Sequence, residues 1–588
     1  MRVLGLVGAT HDSGLALLDD GLPLLILEEE RLNREKRTKV FPTRSLHAAF
    51  GKDLSGLREV DVITTPWDVG RLRASFAKAM LRGFPGSLSF LLEGSHTPQR
   101  NEIVLLNHYL RRRLKRLAGG QPLPPIVNVG HHDAHAAVFF VSPFEDATIL
   151  VMDGFGDDAA TSIYTADGKG IRRRWWTGIF NSIGIAYTFV TEYLGFGGFS
   201  DEGKVMALAA YGNDSLVPAF RDIIHLENGG RYRVNLSYFD FHRYGEFKPF
   251  RRKFYERFGP PRTKGEPLTE RHYNIARALQ VVTEETVLHI ARALLAHYPS
   301  RNLILSGGVA LNCVANARVL ADTKFKRVWV PPCASDTGAP FGSALWHYHQ
   351  TLGQPRRFEM IHPFYGLGFD DREIEAALHR AGLAFERLDT RAVISRTARN
   401  LAEGKIVGWF QGRFEIGPRA LGNRSILADP RRKDMREIIN SKIKHRESFR
   451  PFAPAVLEER AAEYFEIAQP DPFMTLAPRV RAEKIGVMPS AVHVDGTGRI
   501  QTVNRAANPI YYDLIAAFGE LTGVPILLNT SFNRHEPIVA LPEEAISCYL
   551  RTGMDVLVLG NYYVTSRSNA KSAAAQASFE EAAQERAV

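Results

Sequence analysis

The chain has 588 residues, 45% of them hydrophobic and 23% charged; at about 150 residues per domain this length allows two to four buried cores. No apolar run approaches the roughly 18 residues a membrane-spanning helix needs. Three widely spaced cysteines, Cys313, Cys333 and Cys548, exclude a disulfide framework or zinc ribbon and point to the reducing cytoplasm. The excess of 74 Lys and Arg over 64 Asp and Glu is too thin over this length to imply nucleic acid.

In chain order, RVLGLV, LALL and LPLLILEEE, separated by the polar turns GATHDSG and DDG, predict three short strands in antiparallel hairpins and not a secretory leader. ATILVMDGFGD running into DDAATSIYT predicts a second such cycle. NLILSGGVALNCVANARVL reads as strand, Gly-rich turn and helix, followed by the buried strand VWVPPC and the small-residue turn ASDTGAPFGSALW. Around 350–365 the chain turns polar and carries Pro and Gly, which predicts a linker. The expected division is 1–355 and 356–566, the second part alternating helices with segments such as KIVGWF and VPILLNTSF. The Ala-, Ser-, Glu- and Gln-rich stretch 567–588 is expected to be a frayed helix or disordered tail. No repeat of fixed 20–50-residue period is visible.

In VGHHDAHAA, His131 and His135 stand at i and i+4, so a helix starting there carries both imidazoles on one face, as a chelating pair requires. A structural His pair at this spacing is the plainer alternative. Asp153, closing the strand TILVMD, and Asp336, in a tight turn of small residues, are placed to face a cleft. Two His and two Asp suit Fe²⁺ or Mn²⁺ better than a thiolate-seeking ion, with His132 as a supporting neighbour. The Gly-bearing turns at Asp153–Gly154 and at Gly307, Gly308 and Asn312 are what a two-lobed nucleotide cleft needs. In DEGKVMALAAYG, Lys204 either opens a plain helix or reaches a phosphate.

From Arg419 to Arg450 there are ten basic and four acidic residues. Arg419, Arg424, Lys444, Arg446 and Arg450 are interleaved with Gly and Pro turns, unlike a solvated helix face, and guanidinium forks held on turns suit a phosphate dianion. Aromatic residues are scarce between them, which favours a small-anion pocket over a nucleic-acid face. Arg499 in VDGTGRIQTV, with Ser531 and Asn533 in LLNTSFN, would complete it.

These motifs, from GLVGATHDSGLALL and HHDAHAA through LSGGVALNCVANARV and GWFQGRFEIGPRALGNRSILADPR to LLNTSFN, resemble the O-carbamoyltransferases of the nodulation-factor, tobramycin and cephem types. The resemblance runs from Met1 to about Thr565. It implies an α/β protein: an N-terminal actin-like ATPase (Kae1-like) domain fused to a C-terminal YrdC-like domain. The latter would make carbamoyl adenylate from carbamoyl phosphate and ATP with Mg²⁺. Lys444 and Arg446 match a K-x-R signature and Ser531 and Asn533 an S-x-N signature, with Arg419, Arg450 and Arg499 as further phosphate and adenylate contacts. The former would hold the adenylate and an iron-like metal through His131, His135, Asp153 and Asp336, with His11 as general base, and pass the carbamoyl group to a hydroxyl of a small acceptor. No membrane partner and no nucleic acid is implied, and a homodimer is one option for assembly. Two other readings share the modules: threonylcarbamoyl-type tRNA modification, and a non-catalytic nucleotide sensor. The first expects a long basic stripe, the second a degenerate cationic pocket, and the sequence has neither.

Overall fold

The computed structural model describes residues 1–91, 105–244 and 248–567; the expected tail 567–588 lies, but for Arg567, outside the described residues. The chain forms two compact units. The first comprises Met1–Leu24, Arg37–Pro42 and Asp53–Glu359, and the second Leu25–Lys36, Thr43–Lys52 and Met360 onward. The division is therefore not one cut near residue 355, because two early segments belong with the later unit.

Unit 1 is built on two five-stranded sheets. Strands β1 (Arg2–Val7), β2 (Gly14–Asp19), β3 (Leu22–Glu28), β4 (Val62–Thr65) and β5 (Ile126–Asn128) lie in the order β3-β2-β1-β4-β5. β1 pairs antiparallel with β2 and parallel with β4, and β4 runs parallel to β5. The second sheet uses β6 (Ala147–Met152), β7 (Thr161–Asp167) and β8 (Gly170–Thr177), then, after a separate hairpin of β9 (Ile224–Glu227) and β10 (Arg231–Val234), β11 (Asn302–Ser306) and β12 (Arg327–Trp329). Its order is β8-β7-β6-β11-β12, with β6–β7 antiparallel and β6–β11 and β11–β12 parallel. The two sheets thus share one topology, a duplication that leaves no sequence repeat.

The central strands β1 and β6 are near-continuously apolar because both faces are covered. Helix Ala339–Leu345 lies so close to β1 that a Cβ on Gly5 would overlap the Pro340 carbonyl, and a Cβ on Gly342 would overlap that of Ala134. Two missing side chains therefore seat helix His131–Ala136, every residue of which is buried.

Unit 2 holds one eight-stranded sheet of β13 (Glu386–Arg387), β14 (Val407–Phe410), β15 (Arg424–Ala428), β16 (Ala453–Leu457), β17 (Gln501–Val503), β18 (Ile526–Ser531), β19 (Val556–Leu559) and β20 (Tyr562–Val564). Their order is β13-β20-β19-β14-β15-β18-β16-β17. Alternation along the strands feeds two cores: Phe410, Ile426 and Leu528 enter one, and Trp409, Leu427 and Leu527 the other. Among the described residues no helix is long and apolar enough to cross a membrane.

Candidate functional sites

In unit 1, the His131 helix, the end of β6 and the turn after β12 converge. Asp153 follows β6 directly, and Asp336 opens the turn Asp336–Gly338. His131 Nε2 lies 3.2 Å from Asp153 Oδ2 and 3.4 Å from Asp336 Oδ1, and His135 Nε2 lies 3.4 Å from Asp336 Oδ1. The two Nε2 atoms are 3.3 Å apart. All four residues are buried, and one ligand atom from each falls within 4.8 Å of the others.

Burial alone would strip the proton from His131, but Asp336 and Asp153 overcome it and raise its pKa well above the imidazole range. Burial opposes the charge on Asp336 likewise, and His131 more than offsets that, holding its carboxyl well below the usual value. These four side chains place their donor atoms around one point, where a divalent cation could be held. Two imidazole nitrogens and two carboxylate oxygens are a donor set that fits Fe²⁺ or Mn²⁺.

The surroundings fix the ligand rings. His131 Nδ1 lies 3.2 Å from the Pro66 carbonyl, and Trp67 stacks on the ring at 4.3 Å. The Asp157 carboxylate accepts from His131 N at 2.7 Å and Asp68 N at 3.0 Å; burial nevertheless pushes its pKa up to about 7. His132 points elsewhere, its Nδ1 2.8 Å from Ser162 Oγ, and burial followed by the charges of His131 and His135 keeps it neutral. His11 joins the centre: its Nδ1 is 3.1 Å from Asp12 Oδ2 and 3.8 Å from Asp336 Oδ2. Burial works against its charged form, and Asp12 and Asp336 together raise its pKa despite this.

The glycines and polar groups expected around a nucleotide have local uses here. Gly308 N donates to Asp153 Oδ1 at 2.9 Å, steering that ligand, while Gly307 takes a positive φ of 88° at the end of β11 and Gly154 follows Asp153. Asn312, expected near a nucleotide, caps helix Cys313–Asp322 with its Oδ1 through Ala315 N at 3.1 Å, and its amide exchanges hydrogen bonds with Gln280 at 2.9 and 3.1 Å. Lys204 is likewise engaged, with Asp201 Oδ2 at 3.0 Å.

In unit 2, β18 delivers Ser531, and Asn533 follows on the turn. Lys444, 1% exposed, ends the π-helical turn Ile439–Lys444. Its Nζ donates into a ring of oxygens: Ser531 O at 2.5 Å, Asn533 Oδ1 at 2.7 Å, Asn533 O at 2.9 Å and Ser531 Oγ at 3.2 Å. Lys444 therefore holds the Ser531–Asn533 turn. Burial, then Arg446 and Arg450, push its pKa well below the usual lysine range.

His445 adopts a left-handed φ of 43°, which turns the chain so that Arg446 Nε reaches Asn440 Oδ1 at 2.7 Å. The Arg446 guanidinium lies 4.6 Å from the Phe452 ring centroid, and its buried Nη2 has no hydrogen-bond partner. Burial, Arg450 and Arg499 lower its pKa to about 9. Arg450 and Arg499 are half-buried, and Glu447 Oε2 lies 4.0 Å from Arg450 Nη1, so Arg446 feels two neighbouring guanidinium groups and one carboxylate. Arg419 is half-buried beyond Gly417.

Arg424 was expected at a phosphate. It is fully buried on β15, donates to the carbonyls of Gln411 at 2.6 Å, Asn423 at 3.0 Å and Gly412 at 3.1 Å, and lies 3.5 Å from the Phe410 ring centroid. It braces the loop before β15 through these carbonyls, while its buried Nε has no hydrogen-bond partner.

The residues that sequence reasoning missed lie in EEERLNREKR. Arg31 Nη2 donates to the Gly417 carbonyl at 2.7 Å, and Glu28 Oε1 accepts from Gly417 N at 2.5 Å, so this early segment clamps the IGPR loop. Arg34 donates to the carbonyls of Pro537 at 2.6 Å and Ile538 at 2.9 Å. Lys36 adds its charge to those acting on Lys444. The signal available was an acidic-basic run directly after a buried strand.

Two family models match: carbamoyltransferase N-terminus over residues 2–345 and carbamoyltransferase C-terminus over residues 398–566. Nodulation protein NolNO of Sinorhizobium fredii is 37% identical over 95% of this chain and 79% of its own length. Nodulation protein NolO of Bradyrhizobium diazoefficiens is 39% identical over 75% of this chain and 79% of its own. An uncharacterised Synechocystis protein is 39% identical over 95% and 96% respectively. Among solved structures, HypF of T. kodakarensis aligns over 60% of this chain and 48% of that one at 13% identity, but its TM-score of 0.30 is too low to bear on fold or function. The chain belongs to the carbamoyltransferase family.

Proposed function

We propose that this protein is an ATP-dependent O-carbamoyltransferase whose second unit makes carbamoyl adenylate and whose first unit passes the carbamoyl group to a hydroxyl of a small molecule. The observation that carries this reading is the group of Arg446, Arg450 and Arg499, mutually repelling around a buried Nη2 without a partner. Like charges held together without water are stabilised by an anion. The repeated five-strand topology of unit 1 supports an actin-like fold for it, and the second unit is read as YrdC-like.

In unit 2, water would hydrolyse carbamoyl phosphate, its oxygen bonding to the carbamoyl carbon as the bond to the phosphate oxygen breaks, to give carbamate and phosphate. A carbamate oxygen then attacks the α-phosphorus of ATP, which carries Mg²⁺, and pyrophosphate leaves. Carbamate is a poor nucleophile and unstable in bulk water, so a closed cationic site is required. Arg446, Arg450, Arg499 and Arg419 spread the charge building on the phosphoryl oxygens, worth on the order of 10²–10³ in rate per preorganised donor. Lys444 fixes the turn carrying Ser531 Oγ and the Asn533 amide, the two polar groups that would orient the adenylate.

In unit 1, His131, His135, Asp153 and Asp336 would hold a divalent ion, which supplies Lewis-acid polarisation of the carbamoyl carbonyl when bound. His11, oriented by Asp12 at Nδ1, takes the proton of the acceptor hydroxyl at Nε2, typically worth roughly 10²–10⁴-fold.

The experiment is to incubate the full chain with ATP, Mg²⁺ and labelled carbamoyl phosphate and a panel of alcohols. AMP and pyrophosphate should form in equal amounts only when carbamoyl phosphate is present, with label passing to an alcohol. ADP as the nucleotide product would overturn the adenylate.

A further inference from the structure

The segment between helix Ile183–Tyr193 and helix Glu202–Leu208 carries one aromatic residue in a conformation such residues rarely adopt. Phe199 has φ 58°, the left-handed region that favours glycine, although glycines stand directly before it at 197 and 198. The backbone holds it there. Phe199 N donates to Glu202 Oε1 at 2.6 Å, and the same oxygen accepts from Thr188 Oγ1 at 2.8 Å. Asp201 Oδ2 accepts from Gly197 N and from Lys204 Nζ, both at 3.0 Å, and Asp201 N donates to the Gly197 carbonyl at 3.0 Å. Local strain that is so firmly tied down is a pointer to use.

The strain places the ring beside the transfer centre. Its centroid is 5.6 Å from that of His11, and its Cε1 lies 3.8 Å from where a Cβ on Gly154, the neighbour of Asp153, would stand. An apolar ring there offers water no hydrogen bond on one flank of the His11 and Asp336 pair. Water is the competing nucleophile for an activated carbamoyl group and vastly outnumbers any alcohol. Its attack bonds the water oxygen to the carbamoyl carbon and breaks the bond to the AMP phosphate oxygen; the carbamate released decays to ammonia and carbon dioxide.

We propose that Phe199, pinned at positive φ by Glu202, is a positioning residue that walls the transfer site against water and so sets the division of carbamoyl groups between alcohol and hydrolysis. This rests on the transfer reading above.

The test is AMP release by the metal-loaded full chain given ATP and carbamoyl phosphate without any alcohol, with thermal stability followed in parallel. Phe199→Gly removes the ring and suits the φ, so its Tm should equal or exceed that of the wild type while idle AMP release rises several-fold. Phe199→Trp should return idle release to near the wild-type level. The rise should vanish in Phe199→Gly combined with Arg450→Ala, because no adenylate is then made. Wild-type AMP release that Phe199→Gly leaves unchanged would overturn the wall. A wild type that releases no AMP under any condition would overturn the adenylate reading instead.

Discussion

The two buried clusters answer the same problem, charge without water, in opposite ways. In unit 1, imidazoles face carboxylates, and the group satisfies itself by raising His131 and lowering Asp336. In unit 2, burial, and then the neighbouring Arg450 and Arg499, drive Arg446 down to about 9, an effect that Glu447 offsets only in part. Two imidazoles with two carboxylates are a donor set for a metal cation, whereas a group dominated by guanidinium charge favours an anion. The contrast is the basis of the proposal that metal-assisted transfer belongs to the first unit and phosphate chemistry to the second.

The sharpest way to break this contrast is to remove the strained cation. Arg446→Ala should cut carbamoyl-phosphate-dependent pyrophosphate release by on the order of 10²–10³, while metal content measured on the purified protein stays at the wild-type level. A protein that lost its metal as well would merge the two clusters into one.

Next in size is the brace under the IGPR loop. Arg31→Ala leaves buried Glu28, its partner at 3.3 Å, without its charge and the Gly417 carbonyl without its donor. About 3–5 kcal/mol of unfolding free energy should be lost, as read by urea denaturation.

A smaller effect sharpens the electrostatics of the Ser531–Asn533 turn. Burial opposes the charge of Glu536, but backbone donors and Arg551 outweigh it and bring its pKa down to about 2. The folded state therefore prefers the ionised form. That contribution is complete above the ordinary glutamate value near 4.5, is lost progressively as pH falls toward 2, and amounts to about 3 kcal/mol. Glu536→Gln should destabilise the protein at pH 7 by that order and converge on the wild type in acid.

The smallest effect is expected at Lys204, whose ammonium serves Asp201. Lys204→Ala should cost about 0.5–1 kcal/mol and leave ATP affinity, followed by calorimetry, within about twofold.

Much of this was legible in the sequence because the groups sit at punctuated positions. His131 and His135 share a helix face, Asp153 ends a strand, and Ser531 and Asn533 flank a strand end. The paired strands at the start and after residue 146 announced themselves through their turns. The duplication of the two sheets was not legible, since strand order is set by non-local pairing and leaves no residue period. The surroundings of Arg424 were not legible because all of β15 is buried, and a basic motif does not reveal that its guanidinium turns to backbone carbonyls. Arg31 and Glu28 were hidden because their partners lie nearly 400 residues along the chain, and Asn312 because only tertiary packing brings Gln280 to it.

The most direct measurement is carbamoyl-phosphate-dependent exchange of labelled pyrophosphate into ATP, run on His135→Ala and Arg450→Ala beside acceptor carbamoylation. The account predicts that His135→Ala keeps the exchange and loses transfer, while Arg450→Ala loses the exchange. Equal loss of exchange in both proteins would contradict the division of labour between the two units.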